Sequence, residues 1–188
     1  THIQPAEITT IGYRLSQTLQ DLLDDREQLV FVKKNIRGKG MKGAVGTAAS
    51  YKELVAESSI SSIELENMVM EELGIKAYDA ATQIYSRKQD LRIIEALSSI
   101  ACTLHKFSLD FRILQSPPIG EFSEPFGKMQ VGSSAMPFKR NPINSEKIDS
   151  LSRIVENAYQ SAWNNAATTV LERSLDDSAN RRIFIPES

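Results

Sequence analysis

The helical periodicity of residues 90–114 constrains the fold more than any other feature of the sequence. Apolar residues recur there at alternating spacings of four and three, which is the pattern of an a/d seam. The seam residues are Ile93, Leu97, Ile100, Leu104, Phe107, Phe111 and Leu114. Further apolar residues beside the seam are Leu91, Ile94, Ala101, Leu109 and Ile113. A stripe this wide predicts a helix that packs against several neighbours in a bundle.

Other stretches also have helical signals. Residues 7–34 repeat apolar side chains on one face, and Ser61 and Glu64 have the spacing of a capping box that opens a helix ending at Gly74. Asn141 and Pro142 form a good N-cap and first-turn pair for a further long helix. Because no strand pattern emerges, we expect an all-α fold: a long-helix bundle forming a single domain over residues 1–188.

Composition narrows the function. A formal net charge of -2 with 24% charged residues lacks the basic excess of a general nucleic-acid surface. Cys102 is the single cysteine, which excludes an intrachain disulfide, and we expect a buried, unreactive thiol there. No apolar run is long enough to span a bilayer, so we expect a cytoplasmic protein. The chain begins at Thr1 without a methionine, so we also expect a fragment of a longer polypeptide.

Three irregular stretches separate the helical segments, namely residues 35–47, 114–140 and 171–183. Loops this long in a helical protein are usually functional. The first contains the letters G-x-G-x-x-G at Gly38–Gly43, but a dinucleotide site needs a preceding strand, and here a helix precedes the glycines. A tight connection in which glycines allow backbones to approach closely is the better interpretation.

The two histidines differ in context. His2 beside Thr1 precedes the first helix, where a histidine gains catalytic meaning if a carboxylate orients it and a substrate reaches it. His105 lies between apolar positions of residues 90–114, which favours a packing role or a satisfied polar group in the core.

The stretch "LERSLDDSANRRI" has two interpretations that the sequence leaves open. Asp176 or Asp177 can cap a helix whose first turns present Ser178 and Arg182 on one face, and such a helix start with Arg173 nearby suits a phosphate. The alternative is a solvated cluster in which the arginines, Arg181 included, pair with the aspartates.

The stretch "GSSAMPFKRNP", residues 132–142, carries two serines beside a glycine and is followed by a helix start. Serine is a poor base unless positive charge and backbone donors stabilise its alkoxide. Lys139 and the helix start after Asn141 make this region electropositive. We therefore expect a mobile loop that delivers a reactive serine.

These residues resemble a known family. The stretch "GSSAMPFKRNP" resembles the signature loop of the fumarase/aspartase superfamily, which breaks C–N or C–O bonds by β-elimination and releases fumarate, and "THIQPA" resembles its Thr-His segment. The stretches "KGAVGTAAS", "TQIYSRKQD" and "LERSLDDSANRRI" are similar to the branch of the superfamily that acts on succinylated purine nucleotides. Together the similar stretches extend over nearly all 188 residues.

The resemblance implies cleavage of adenylosuccinate to AMP and of the ribotide SAICAR to AICAR, each with fumarate, by a homotetramer with shared active sites and without cofactor or metal. It implies that Ser133 is the general base and His2 the general acid. The other residues with implied roles are Glu146, which orients the histidine; Lys139, Ser134 and Asn141, which hold carboxylates; Thr1 and Gln83, which contact substrate; and Arg173, Ser178 and Arg182, which bind phosphate.

Two alternatives remain at this stage. Another fumarate-releasing lyase, such as one acting on argininosuccinate, is disfavoured because Ser178 and Arg182 suggest a phosphate. A catalytically silent scaffold is disfavoured because His2, Ser133 and Lys139 are all present. The family's site uses further segments outside these 188 residues, so we expect the isolated chain to be inactive.

Overall fold

A computed structural model describes residues 1–127 and 129–188, without the side chain of Phe184. The fold is all-α, as predicted, with six helices in this part of the chain. They are α1 (Ile11–Lys34), α2 (Ala49–Leu54), α3 (Ser62–Glu72), α4 (Lys88–Gln115), α5 (Ile143–Thr168) and α6 (Ser178–Glu187). Within the described ranges, every helix is too short or too polar to cross a membrane.

Local sequence signals explain most of the helix boundaries. Ser61 and Glu64 form the predicted capping box at the start of α3, and Gly74 follows its end with a φ of 63°. The start of α1 was expected near Glu7 but lies at Ile11, because the Thr10 hydroxyl accepts a hydrogen bond from the Tyr13 amide and marks the first turn. The short helix α2 had no signal in the sequence analysis.

The chain groups into two compact units. Unit 1 comprises residues 1–27 and 98–156, and unit 2 comprises residues 28–97 and 157–188. Three helices, α1, α4 and α5, contribute residues to both units. A single domain over residues 1–188 stays a prediction.

The apolar core of unit 2 lies between α4 and α5. Leu91 and Ile94 of α4 are buried against Ala158 and Ala162 of α5. Partly buried apolar residues packed against this core are Leu97, Tyr159, Ala166 and Ile185. The small alanine side chains leave room for Ile94, which is fully buried.

Polar contacts hold α1 against α4 in unit 1. The buried carboxylate of Asp25 accepts hydrogen bonds from Ser99 Oγ at 2.5 Å and Thr103 Oγ1 at 2.7 Å. The seam residues of α4 are less covered, and Leu104 is 38% exposed. Cys102 is also exposed, so the expectation of a buried thiol is wrong, because the buried face of α4 here passes through Ala101 and Thr103.

The glycines of residues 38–43 allow close backbone approach, as the sequence predicts. Gly38 exchanges two backbone hydrogen bonds of 2.9 Å, from its amide to Lys76 O and from the Tyr78 amide to its carbonyl. A Cβ atom on Gly40, whose φ is 77°, would overlap the Glu66 carboxylate. The loop is therefore a packed connection of unit 2.

Candidate functional site

The hydroxyl of Ser133 is held by the loop that carries it. Its Oγ accepts hydrogen bonds from the amides of Ala135 at 3.3 Å and Met136 at 3.1 Å. Two N–H dipoles directed at one oxygen stabilise negative charge there. This is the backbone support that a serine base requires, and it arises because the chain turns sharply immediately after Ser133.

The loop narrows to a neck where Gly132 approaches Lys139, and this contact requires glycine at position 132. A Cβ atom there would overlap the backbone carbonyl of Lys139 and meet the Phe126 ring at 3.1 Å. Asn141 Nδ2 closes the same neck by donating to Gly132 O at 3.3 Å. Ser134 and Lys139 are exposed on the loop, so their side chains are open to a ligand.

The first-turn amides of α5, at the electropositive helix start that the sequence predicts after Asn141, have an acceptor within the chain. The carboxylate of Glu124 accepts from the Asn144 amide at 3.1 Å and the Ser145 amide at 2.8 Å. The Glu146 amide bonds Pro142 O at 3.0 Å as the helix begins. A carboxylate of the chain itself thus occupies these first-turn donors, and it compensates the helix dipole.

Glu146 lies on α5 near a partly buried ion pair. Arg112 Nη1 contacts the buried Asp149 carboxylate, and Arg112 Nη2 lies 4.0 Å from Glu146 Oε1. His105 Nε2 lies 3.9 Å from Asp149 Oδ1, and its side chain is 33% exposed, so the expected packing or satisfied polar role in the core stays a prediction. Within the described residues, Glu146 therefore faces a guanidinium group and has no ion pair with His2.

His2 lies in an exposed turn. The Gln4 amide donates to Thr1 O at 2.9 Å, and His2 and Ile3 both adopt positive φ values, 55° and 58°. Such backbone angles are unusual outside glycine and concentrate at functional positions. In the part of the chain that the structure describes, no hydrogen bond joins His2 to Ser133.

Unit 2 contains a buried carboxylate surrounded by arginines. Arg87 Nε lies 2.7 Å from Asp177 Oδ2, Arg181 Nε lies 3.3 Å from the same oxygen, and Arg173 Nη2 lies 3.6 Å from Asp177 Oδ1. These contacts lack hydrogen-bond geometry, so charge attraction carries them. Asp177 is at the N-cap position of α6, but its side chain does not cap the helix.

A second acid continues this network. Asp90 Oδ2 lies 3.5 Å from Arg87 Nη1, and Tyr85 donates its hydroxyl to Asp90 Oδ1 at 2.8 Å. Burial and then the adjacent Asp90 carboxylate raise the pKa of Tyr85. Tyr85 therefore stays a neutral donor at physiological pH.

The contacts of "LERSLDDSANRRI" pair some of its arginines with aspartate and leave other residues available for an anion. Arg181 pairs with Asp177, as in a self-paired cluster, whereas Arg182 is exposed and makes no ion pair among the described residues. Ser178 is partly exposed at the first turn of α6, and Arg173 retains some exposure. A site for an anion at this face therefore has Ser178, Arg182 and part of Arg173 available.

Gln83 belongs to the same unit as these residues. It is exposed, and its neighbour Thr82 donates its hydroxyl to Glu172 O at 2.8 Å, immediately before Arg173. The structure therefore ties the Gln83 segment to the arginine segment. The residues with implied catalytic roles, His2, Ser133, Lys139 and Glu146, all belong to unit 1.

Sequence reasoning missed the residues that support these groups. Arg87 and Asp177 are 90 positions apart, and Glu124 acts on a helix that begins 19 residues later, so neither relationship has a local signal. Arg87 and Asp90 are three residues apart at the start of a predicted helix, and this spacing was the one local indication of an ion pair there. Within the described ranges, no three His, Cys, Asp or Glu side chains cluster to hold a metal ion.

Comparisons with known proteins agree with this architecture. A solved structure, the 3-carboxy-cis,cis-muconate lactonizing enzyme from Pseudomonas putida, superposes with a TM-score of 0.81 over 100% of this chain and 40% of its own, at 24% identity. That likeness confirms the long-helix bundle fold.

Curated relatives match along the whole chain. Adenylosuccinate lyase of Schistosoma mansoni is 45% identical over 100% of this chain and 39% of its own length. The adenylosuccinate lyases of Saccharomyces cerevisiae and Pyrococcus horikoshii are 41% and 40% identical, again over 100% of this chain, and it covers 39% and 40% of them. The chain thus spans about two-fifths of the length of these relatives.

A family model described as "Lyase" matches residues 1–156, which include His2, Ser133, Lys139 and Glu146. This match covers most of the chain and confirms the lyase resemblance of the sequence. The chain belongs to this lyase family.

Proposed function

We propose that this chain is the central part of an adenylosuccinate lyase, which releases fumarate from adenylosuccinate to give AMP and from SAICAR to give AICAR. The observation that carries the proposal is the pair of backbone amides on Ser133 Oγ. The identities of 34–45% to adenylosuccinate lyases over nearly the whole chain support the choice of substrate.

In the proposed reaction, Ser133 acts as an alkoxide base. Its Oγ takes the proton from the succinyl carbon next to a carboxylate, the electron pair forms the new C=C bond, and the C–N bond breaks. The electron pair of that bond goes to the departing nitrogen, which His2 protonates. The products are fumarate and the amino nucleotide, so atoms and charge balance.

Removal of a proton beside a carboxylate spreads a second negative charge onto that group. Donors and cations that meet this charge stabilise the transition state more than the substrate. Because Glu124 occupies the first amides of α5, this role passes to the exposed Lys139 and Ser134 side chains. Asn141 then contributes through its bond to Gly132 O, or by releasing it to bind substrate.

The nucleotide part of the substrate binds, in this proposal, to unit 2. Ser178 and Arg182 hold the phosphate with the exposed part of Arg173, and Gln83 contacts the substrate from the adjoining loop. Thr1 contacts the substrate beside His2. Glu146 orients His2 once the imidazole displaces the Arg112 guanidinium group, whose Nη2 lies 4.0 Å from Glu146 Oε1.

The complete site requires further protein. The chain covers 39–40% of its relatives, and the proposed assembly is a homotetramer in which several subunits form each site. Large apolar side chains left exposed on α1 and α5 support burial against other protein. They include Leu19, Phe31, Leu151, Ile154 and Trp163. We expect the 188-residue chain alone to be inactive.

The test compares fumarate release from adenylosuccinate and from argininosuccinate by the full-length protein, followed by ultraviolet absorbance. We expect turnover of adenylosuccinate and none of argininosuccinate. Preference for argininosuccinate would assign the chain to another fumarate-releasing lyase. Activity with neither would indicate a scaffold without catalysis.

A further inference from the structure

The loop that carries Ser133 is fastened at its base by two side chains. Gln115, the last residue of α4, accepts a hydrogen bond from the Glu124 amide at 2.8 Å through Oε1 and donates to Arg140 O at 3.2 Å through Nε2. One amide side chain thus bridges the two ends of the segment between residues 124 and 140. The distance between those ends is therefore set by a residue outside the loop.

Glu124 fastens the same base to α5. Oε1 accepts from the Ser145 amide and hydroxyl, both at 2.8 Å, and Oε2 accepts from the Asn144 amide at 3.1 Å and its Nδ2 at 3.0 Å. All four donors act on one carboxylate. Partial burial opposes ionisation, but the bonds from Ser145 and Asn144 outweigh it and lower the pKa of Glu124. Its charge is therefore retained at neutral pH, where it also meets the positive end of α5.

The base is separate from the neck of the loop. The neck is the contact of Gly132 with Lys139 and the bond from Asn141 to Gly132 O, and Ser133 follows it directly. The loop thus has a fixed base, a narrow neck and a tip that presents Ser133. We refer to Gln115, Glu124, Arg140, Asn144 and Ser145 as the base clamp.

We propose that Gln115 and Glu124 are positioning residues of the lyase reaction, because the base clamp fixes the direction from which Ser133 reaches its substrate. The inference rests on the proposed function for its catalytic part. Proton transfer is sensitive to placement, and a shift of about 1 Å can cost on the order of a hundredfold in rate. Neither side chain needs to touch the substrate.

Two near-isosteric variants of the full-length protein test the proposal. Glu124→Gln replaces one acceptor oxygen with an NH2 group that faces two donors, and Gln115→Leu removes both ends of the bridge. Glu121→Gln is the matched control, because Glu121 lies three residues before Glu124 but pairs with Arg14, outside the base clamp.

The first readout is cleavage by trypsin after Lys139 and Arg140, followed by mass spectrometry. It reports release of the loop base independently of the substrate. We expect cleavage severalfold faster in Glu124→Gln and in Gln115→Leu and unchanged in Glu121→Gln. Unchanged cleavage in both clamp variants would overturn the proposal.

The second readout is the single-turnover rate with adenylosuccinate and enzyme in excess, which does not depend on the fraction of enzyme folded. We expect a fall of roughly tenfold or more in each clamp variant with KM little changed. We also expect no further fall in rate when the two substitutions are combined, since both side chains hold the same end of the loop. Normal rates despite faster cleavage would show that the base clamp does not position Ser133, which contradicts the proposal.

The two readouts separate the failures. If the unmodified full-length protein turns over no adenylosuccinate, the proposed function fails, and trypsin cleavage alone decides whether the two residues hold the loop. If one variant does not fold, the other, which alters a different element, gives the decision.

Discussion

Arg87 Nε and Asp177 Oδ2 lie 2.7 Å apart, and the two side chains are only 3% and 0% exposed. A buried carboxylate is stable only when charges compensate it, and Arg173 and Arg181 complete that compensation. The segment that bears the proposed phosphate contacts is thereby fixed to the start of α4. Folding therefore depends on some arginines of this segment, and the proposed phosphate binding depends on others beside them.

Asp177→Asn should destabilise the protein strongly, because it leaves buried guanidinium groups without a counter-charge. The expected loss is about 3–5 kcal/mol in the free energy of unfolding, measured by chemical denaturation. Asp176→Asn, its exposed neighbour, is the control and should change the stability much less. Equal stability of the two variants would show that Asp177 does not organise this cluster.

Arg181 and Arg182 should separate folding from binding. Arg181→Ala removes a partner of Asp177 and should lower the denaturation midpoint. Arg182→Ala removes an exposed cation and should leave the midpoint unchanged while it raises KM for adenylosuccinate. An unchanged KM for Arg182→Ala would show that Arg182 is a solvated surface residue and does not bind the substrate.

Gly132→Ala should impair catalysis without unfolding the protein. The added methyl group would overlap the Lys139 carbonyl, which is backbone and cannot rotate away, so the loop neck must open. We expect a large fall in kcat with a near-normal melting temperature. Gly74→Ala is a contrasting control, because nothing lies within 4 Å of its added Cβ and its positive φ affects stability instead. A normal kcat for Gly132→Ala would contradict the close contact of Gly132 with Lys139 at the neck of the loop.

Acid should weaken the fold through carboxylates at two helix starts. Backbone and side-chain hydrogen bonds from Ser61 lower the pKa of Glu64, and the α5 contacts lower that of Glu124. A carboxyl group whose pKa is lower in the folded protein than its ordinary value of 4.5 stabilises the fold at pH values above 4.5. This stabilisation is lost as the pH falls through the lower folded pKa. Unfolding experiments at falling pH should show a smaller loss of stability in Glu64→Gln and in Glu124→Gln than in the unmodified protein. Slopes equal to that of the unmodified protein would contradict these assignments.

How far the sequence predicts this protein depends on how local each interaction is. The capping box of Ser61 and Glu64 spans three residues and was predicted correctly. The role of Glu124 at the start of α5 was missed, because its partners lie 20 residues away across a loop. Likewise, periodicity predicted α4 but not which of its residues face α1, since hydrogen bonds from Ser99 and Thr103 to Asp25 decide this.

The most direct test of the central claim is the kcat of Ser133→Ala in the full-length protein with adenylosuccinate, with Ser134→Ala in parallel. Ser133 receives the two loop amides, so its loss should lower kcat by about 10²–10⁴-fold with KM little changed, whereas Ser134→Ala should chiefly raise KM. A near-normal kcat for Ser133→Ala would contradict the account.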